Sequence, residues 1–314
     1  MSDRKKPSKF RKKTAHFVCS VIPHRRTREF VYRLIINPDI AGRWHRLVVG
    51  RKMWADEKQR RKNGVKYPYK LSVVAIMKNE GPYLREWIEY HKLVGVEKFY
   101  LYNNGSTDDT VEILSPYVKS GLVELIDFPG EKKQIPAYND CVARHKMDTQ
   151  WLALIDLDEF IVPDSGWDKV TDILDKLSKH ISQIWIRWVF YGSNGHITKP
   201  DGLVTESYTK RAKKQTWHYK SIVNPRLVFS TGCHEQVVAK RTKQMPTKVI
   251  RINHYFCKSW EEFSKRAGRG DAFNGNQAAV KRYTRDFFDS RDKNDVEDRI
   301  MDKYLAQLRK NLRK

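Results

Sequence analysis

The clearest hydrophobic signal in the chain is Leu71 to Met77, an almost unbroken apolar and β-branched run. A strand that is buried on both faces reads this way. Beyond it, Leu84, Trp87, Ile88 and His91 fall at helical spacing, which predicts a helix over 81–94 that Gly95 ends. Phe99 to Tyr102 reads as a second strand, closed by the turn Asn103-Asn104-Gly105-Ser106. Ser106 or Thr107 then caps a helix with Asp108 and Asp109 in its first turn. Leu122 to Phe128 is a third strand, Pro136 to Met147 a helix, and Trp151 to Ile155 a fourth strand. Strands alternating with helices of about 12 residues predict an α/β fold, a mostly parallel sheet with helices on both faces. Ligands of such sheets sit at the carboxyl ends of the strands. Four polar clusters fall there: Lys78-Asn79-Glu80, Asn103-Asn104, Asp127, and Asp156-Leu157-Asp158.

After Ile161 the pattern loosens into aromatic strands around Trp185 to Tyr191 and an apolar run from Ile222 to Phe229. Val296 to Leu312 reads as a basic amphipathic helix. At the other end, Phe30, Val31, Leu34 and Ile35 form a short stripe that predicts a helix over 27–36, stopped at Asn37-Pro38, and residues 50–66 read as a charged connector. The organisation expected is a basic, partly helical extension over 1–66, an α/β domain over 67–290, and a basic helical tail over 291–314.

Charge changes this picture at the amino end. Residues 1–66 hold 20 Lys/Arg against 5 Asp/Glu, so they carry +15 of the chain's net +24. A concentrated basic arm favours a polyanion, and an anionic membrane face attracts each basic residue by about 1 kcal/mol. With no nucleic-acid motif beside it, the arm points to an anionic membrane surface ahead of nucleic acid. No apolar run approaches the roughly 18 residues of a membrane span. The short run Phe17 to Ile22, ended by Pro23, falls below a secretory apolar region of about 7–15 residues. Cys19, Cys141, Cys233 and Cys257 are scattered without a CxxC pair, so neither a zinc site nor a disulfide framework is indicated. The localisation expected is cytoplasmic, peripheral on the inner face of the plasma membrane.

The sharpest chemistry lies in Asp156-Leu157-Asp158-Glu159-Phe160. In a strand, Asp156 and Asp158 share one face, and two adjacent carboxylates repel unless a cation lies between them. Mg²⁺ or Mn²⁺ supplies it and bridges a diphosphate.

That segment resembles the metal motif of GT-A-fold glycosyltransferases. Further stretches resemble glycosyltransferase family 92 and its bacterial family-2-like relatives: 77–80, 87–91 and 95–108, then Asn253 to Gly270. The likeness covers roughly residues 70–270. It implies a GT-A fold and metal ligands Asp156, Asp158 and His254, with Asp156 also at the nucleotide. It also implies a nucleotide-sugar site that includes Lys78, Asn79, Glu80 and Asn104. The Asn104 oxygen would accept the uracil N3–H while its NH₂ donates to O4. Lys258, Lys265 and Arg269 would neutralise the leaving diphosphate. Inversion, also implied, requires a general base. Glu235 is the first candidate and His234 the second, although the usual Glu-Asp pair is missing. Trp185, Trp188 and Tyr191 either stack on sugars or belong to the core. The expected activity is hexose transfer from a UDP-sugar, galactose first and glucose next, to a glycan or glycolipid in cell-surface polysaccharide or lipopolysaccharide synthesis. Two rivals are a metal-dependent nucleotidyltransferase and a noncatalytic polyanion-binding protein on the same scaffold.

Overall fold

The computed structural model describes residues 18, 31, 38–164 and 166–313, so the helix expected over 27–36 lies, Val31 apart, outside the described residues. Contacts divide the chain into two units, residues 1–63 and 64–314. In the first, helix α1 runs Pro38–Lys62 and ends on Arg60, Arg61 and Lys62. The connector expected over 50–66 is therefore mostly helix. Between Arg51 and Lys62 there is neither Gly nor Pro, and Lys, Arg, Glu, Gln and Ala are strong helix formers whatever their hydropathy. Cations in the last turn suit the negative end of the helix, and Gly64, with φ +66°, lies just past it.

The second unit opens with β1 (Tyr69–Met77), α2 (Gly81–Leu93), β2 (Lys98–Asn103), α3 (Thr110–Lys119), β3 (Val123–Asp127), α4 (Gln134–His145) and β4 (Thr149–Leu154). These are the expected elements within about three residues, the normal drift of element ends. Asp108 and Asp109 lie before α3 rather than inside it, and Asp108 accepts from the backbone N–H of Gly81 at 3.0 Å. β1 pairs in parallel with β2 and β4, and β2 with β3. Alternation then divides the core. Leu71, Val73, Ala75 and Met77 face Leu84, Trp87 and Ile88 of α2, whereas Val74 and Ile76 face Ala137, Tyr138 and Cys141 of α4. A strand wedged between two helical layers buries both of its faces, which is why β1 reads as almost unbroken apolar sequence from Leu71 on, with Ser72 its one small polar exception.

Then follow β5 (Glu159–Pro163), α5 (Val170–Asp175), β6 (Ile181–Phe190), α6 (Val204–Ser207), β7 (Lys210–Arg211), β8 (Tyr219–Val223), β9 (Val228–Ser230), β10 (Val237–Val238), β11 (Arg241–Gln244) and β12 (Ile250–His254). The run from Ile222 to Phe229 is broken by a 3-10 turn at Pro225–Leu227, because Pro225 has no N–H to continue the ladder. The main sheet has the order β3-β2-β1-β4-β8-β6-β12-β5, with β11 on β6. Only β8 and β5 oppose the other strands, so the sheet is mostly parallel, as expected. The chain closes with α7 (Trp260–Arg269), α8 (Asn276–Arg282), α9 (Arg285–Arg291), β13 (Val296–Glu297) and α10 (Asp302–Leu312). The tail helix thus begins at Asp302 and not at Val296, whose strand pairs with β7. Tyr304 and Leu308 of α10 are buried in the main core, with Tyr304 edge-on to Tyr90 of α2 at 5.1 Å.

Candidate active site

A cleft of about 300 Å³ opens at the carboxyl ends of β1, β2 and β4. Among its walls are Lys78, Glu80, Asn104, Asp156, Asp158 and His254. The Asp156-Leu157-Asp158 segment is a turn between β4 and β5 and not strand, so its carboxylates diverge. Asp156 accepts from Gln134 Nε2 at 2.8 Å, Tyr138 Oη at 3.2 Å and Lys220 Nζ at 2.8 Å. Asp158 turns the other way, to Arg266 Nη2 at 2.7 Å and His254 Nε2 at 3.4 Å. Leu157, between them, is buried.

The expected trio of Asp156, Asp158 and His254 is not what the fold brings together. Asp158, Glu159 and His254 are, with ligand atoms all within 4.8 Å of one another. Antiparallel pairing of β5 with β12 sets His254 opposite Glu159. Glu159 Oε1 and His254 Nδ1 are buried with no hydrogen-bond partner among the described residues. Two carboxylates and an imidazole with such orphaned atoms fit a divalent cation.

Burial and neighbouring charges pull these groups in different directions. Burial raises Asp158, but His254 and Arg266 outweigh it and hold it well below the carboxylate range. Glu159 is wholly enclosed, and burial raises it well above that range. Burial also works against the charge of Lys220, yet Asp156 and Glu159 hold it well above the ordinary lysine value. Lys220 is therefore held in its charged form between Asp156 and Glu159, while burial works against charge on Glu159.

Of the other expected residues, Lys78 and Asn104 line the cleft. Both hydrogens of the Asn104 amide are taken by the carbonyls of Phe128 and Gly130, each at 2.8 Å. The amide is thereby locked, and the oxygen is the atom left for a ligand. The expected donation to O4 is lost. Asn79, at φ +52°, accepts from the Thr107 N–H at 2.8 Å and braces the loop after β2; it is not among the lining residues. Glu80 is ion-paired with Arg269, and both border the cleft. Lys258 lies behind the wall, fully buried over the Tyr83 ring at 3.3 Å, and burial pushes its pKa down to about 8.

Lys265 does not reach the site. It is 71% exposed and pairs with Glu261 at 2.7 Å. A capping box of Ser259 and Glu262 sets the phase of α7. That phase turns Glu262, Phe263 and Arg266 inward, which puts Arg266 and not Lys265 against Asp158. Arg282, on α8, is a third arginine at the cleft besides Arg266 and Arg269.

The two base candidates also separate. Glu235 is exposed beside Tyr219 and is not among the lining residues. His234 lines the cleft, and its Nδ1 lies 3.0 Å from the carbonyl oxygen of Tyr219. A carbonyl only accepts, so Nδ1 bears the proton and Nε2 the lone pair. Burial first, then the Lys220 charge, lower its pKa below the ordinary imidazole value. Trp188 lines the cleft, whereas Tyr191 is buried in the core and Trp185 stacks on Tyr219 at 4.4 Å.

The family model for glycosyltransferase family 92 matches residues 74–311. A family 92 protein of Arabidopsis thaliana is 30% identical over 66% of this chain and 38% of its own length. A galactan beta-1,4-galactosyltransferase of the same plant is 28% identical over 60% of this chain and 41% of its own. This chain therefore spans about two-fifths of the curated relatives it matches. Among solved structures, S. aureus TarS 1–349 covers 69% of this chain and 70% of its own, at 13% identity and a TM-score of 0.41.

Proposed function

The chain belongs to glycosyltransferase family 92, and from that membership we propose that it transfers galactose from UDP-galactose to a glycan acceptor with inversion. The observation that carries this reading is the cleft in which Asn104, Asp158, His254 and the three arginines meet, with Glu159 buried beside Asp158 and His254. The locked Asn104 oxygen suits a base with an N–H to give, as uracil has. Arg269 and Arg282 suit diphosphate oxygens, because a guanidinium fork matches them geometrically. Galactose is preferred because the galactan relative is named for its transfer.

Asp158, Glu159 and His254 would hold Mn²⁺ or Mg²⁺, which when bound supplies positive charge to the departing diphosphate. The chain's own part is positional. Lys220, Gln134 and Tyr138 fix Asp156 at the cleft, and Arg266 holds Asp158 in its charged form. Neutral His234 takes the acceptor hydroxyl's proton on Nε2 as the hydroxyl attacks the anomeric carbon and the sugar–phosphate bond breaks. Electron balance is closed when UDP leaves with that bond pair.

The basic arm's charge supports reading it as attached to an anionic membrane face, with the enzyme peripheral at the inner leaflet near a lipid-linked or lipopolysaccharide-type acceptor. The test of the donor reading is incubation with UDP-galactose, UDP-glucose and other nucleotide sugars, with Mn²⁺ or with EDTA. Release of UDP from UDP-galactose, abolished by EDTA and by Asp158→Asn, is the expected result. Release of galactose 1-phosphate from UDP-galactose, or of pyrophosphate in a parallel incubation with UTP and galactose 1-phosphate, would favour a nucleotidyltransferase, and full turnover in EDTA would remove the metal.

A further inference from the structure

The aromatic wall of the cleft continues outward to the surface. Trp188, at the cleft, stacks on His218 with centroids 5.2 Å apart and planes 12° from parallel. His218 stacks in turn on Trp217, at 4.0 Å and 23°. His218 also meets His234, another cleft residue, at 5.9 Å. Trp217 ends this ladder and is 72% exposed, the most exposed large apolar side chain among the described residues. The loop that carries it is tied down. Arg187 donates to the Thr216 carbonyl at 3.1 Å and to Gln244 at 3.0 Å, and Thr216 Oγ1 lies 2.6 Å from His218 Nδ1. The indole is thus held in water by a braced loop, with one face covered by His218.

We propose that Trp217 is a platform for an outer pyranose ring of the acceptor glycan, a unit or more away from the hydroxyl that reacts. This deepens the proposed transferase function and rests on the cleft being the donor site. The C–H face of a pyranose is apolar and weakly positive, which suits the negative face of an indole. One stacked ring, His218, separates Trp217 from Trp188, so a sugar seated on Trp217 lies beyond the reacting one. The platform therefore selects acceptors of two or more units, without reading which sugar is transferred.

The test uses the full chain on an array of immobilised β-linked oligosaccharides of increasing length, with no donor present. Wild type should bind oligosaccharides and not the monosaccharides. Trp217→Ala should bind them roughly tenfold more weakly or worse, the size of a hot-spot truncation. Trp217→Tyr should recover part of the binding, and both variants should hydrolyse the donor at the wild-type rate. Equal binding by Trp217→Ala, or no glycan binding by wild type, overturns the platform. Dissociation of a dimer by Trp217→Ala with glycan binding unchanged also overturns it, and marks the face as a contact between copies. Failure of the donor reading shows separately, as absence of nucleoside diphosphate release, because the array needs no donor.

Discussion

His234→Asn is the substitution that weighs most on the mechanism. The Asn amide N–H can keep the hydrogen bond that Nδ1 gives the Tyr219 carbonyl at 3.0 Å, but it offers no basic lone pair in place of Nε2. Loss of a positioned general base costs about 10²–10⁴ in rate, or about 3–5 kcal/mol at 1.36 kcal/mol per decade. The loss should fall on kcat, since Asn104, Arg269 and Arg282 stay in place for the donor. Initial rates of UDP release at saturating acceptor, with calorimetric binding of UDP, separate the two effects. The pH profile adds a second readout. His234 acts when unprotonated, and burial with the Lys220 charge lowers its pKa. Turnover should therefore stay flat at and above neutral pH and fall on the acid side, below the ordinary imidazole value. In His234→Asn that acid limb should vanish along with the rate. Normal turnover in His234→Asn, or the same large loss in Glu235→Gln, would refute the assignment.

Periodicity made the first half of the fold legible, because β1, β2 and β4 lie between helical layers and alternation has one solution there. The same logic failed where no period operates. Glu235 and His234 sit on an irregular loop, so sequence offered two titratable groups and no means of orienting them. Asp156 and Asp158 share a face only in a strand; in the turn that forms, one meets Lys220 and the other Arg266. Lys220 carries a sequence signal of its own, as the lone charged residue in the otherwise uncharged strand Tyr219–Val223. Arg266 was also readable. Ser259 and Glu262 make a capping box, and counting from Phe263 gives Arg266 one turn on. The stretch Arg51–Lys62 reads as a connector because eight of its twelve residues are charged and it carries almost no apolar stripe, so propensity and not pattern marks it as helix.

Two predictions remain. Arg266→Met leaves Asp158 buried without its cation, which costs about 3–5 kcal/mol and should lower Tm by roughly 10 °C in a domain of this size; millimolar Mn²⁺ should raise Tm more in this variant than in wild type, while Lys265→Ala should change neither Tm nor turnover. Equal Mn²⁺ shifts in Arg266→Met and wild type would argue against a cation at Asp158. The last prediction concerns the arm. Its +15 over residues 1–66 is the chain's one large excess of charge. α10, by contrast, has Tyr304 and Leu308 buried in the core, so the tail can add charge to a membrane contact but not that apolar side. Attraction of this kind is screened over about 8 Å at physiological ionic strength. Deleting residues 1–60 should therefore weaken binding to vesicles rich in anionic lipid, and full-length binding should fall steadily as salt rises. Donor hydrolysis in solution should survive the deletion. Full-length protein that ignores such vesicles at low salt but holds RNA tightly would show that the arm's partner is nucleic acid.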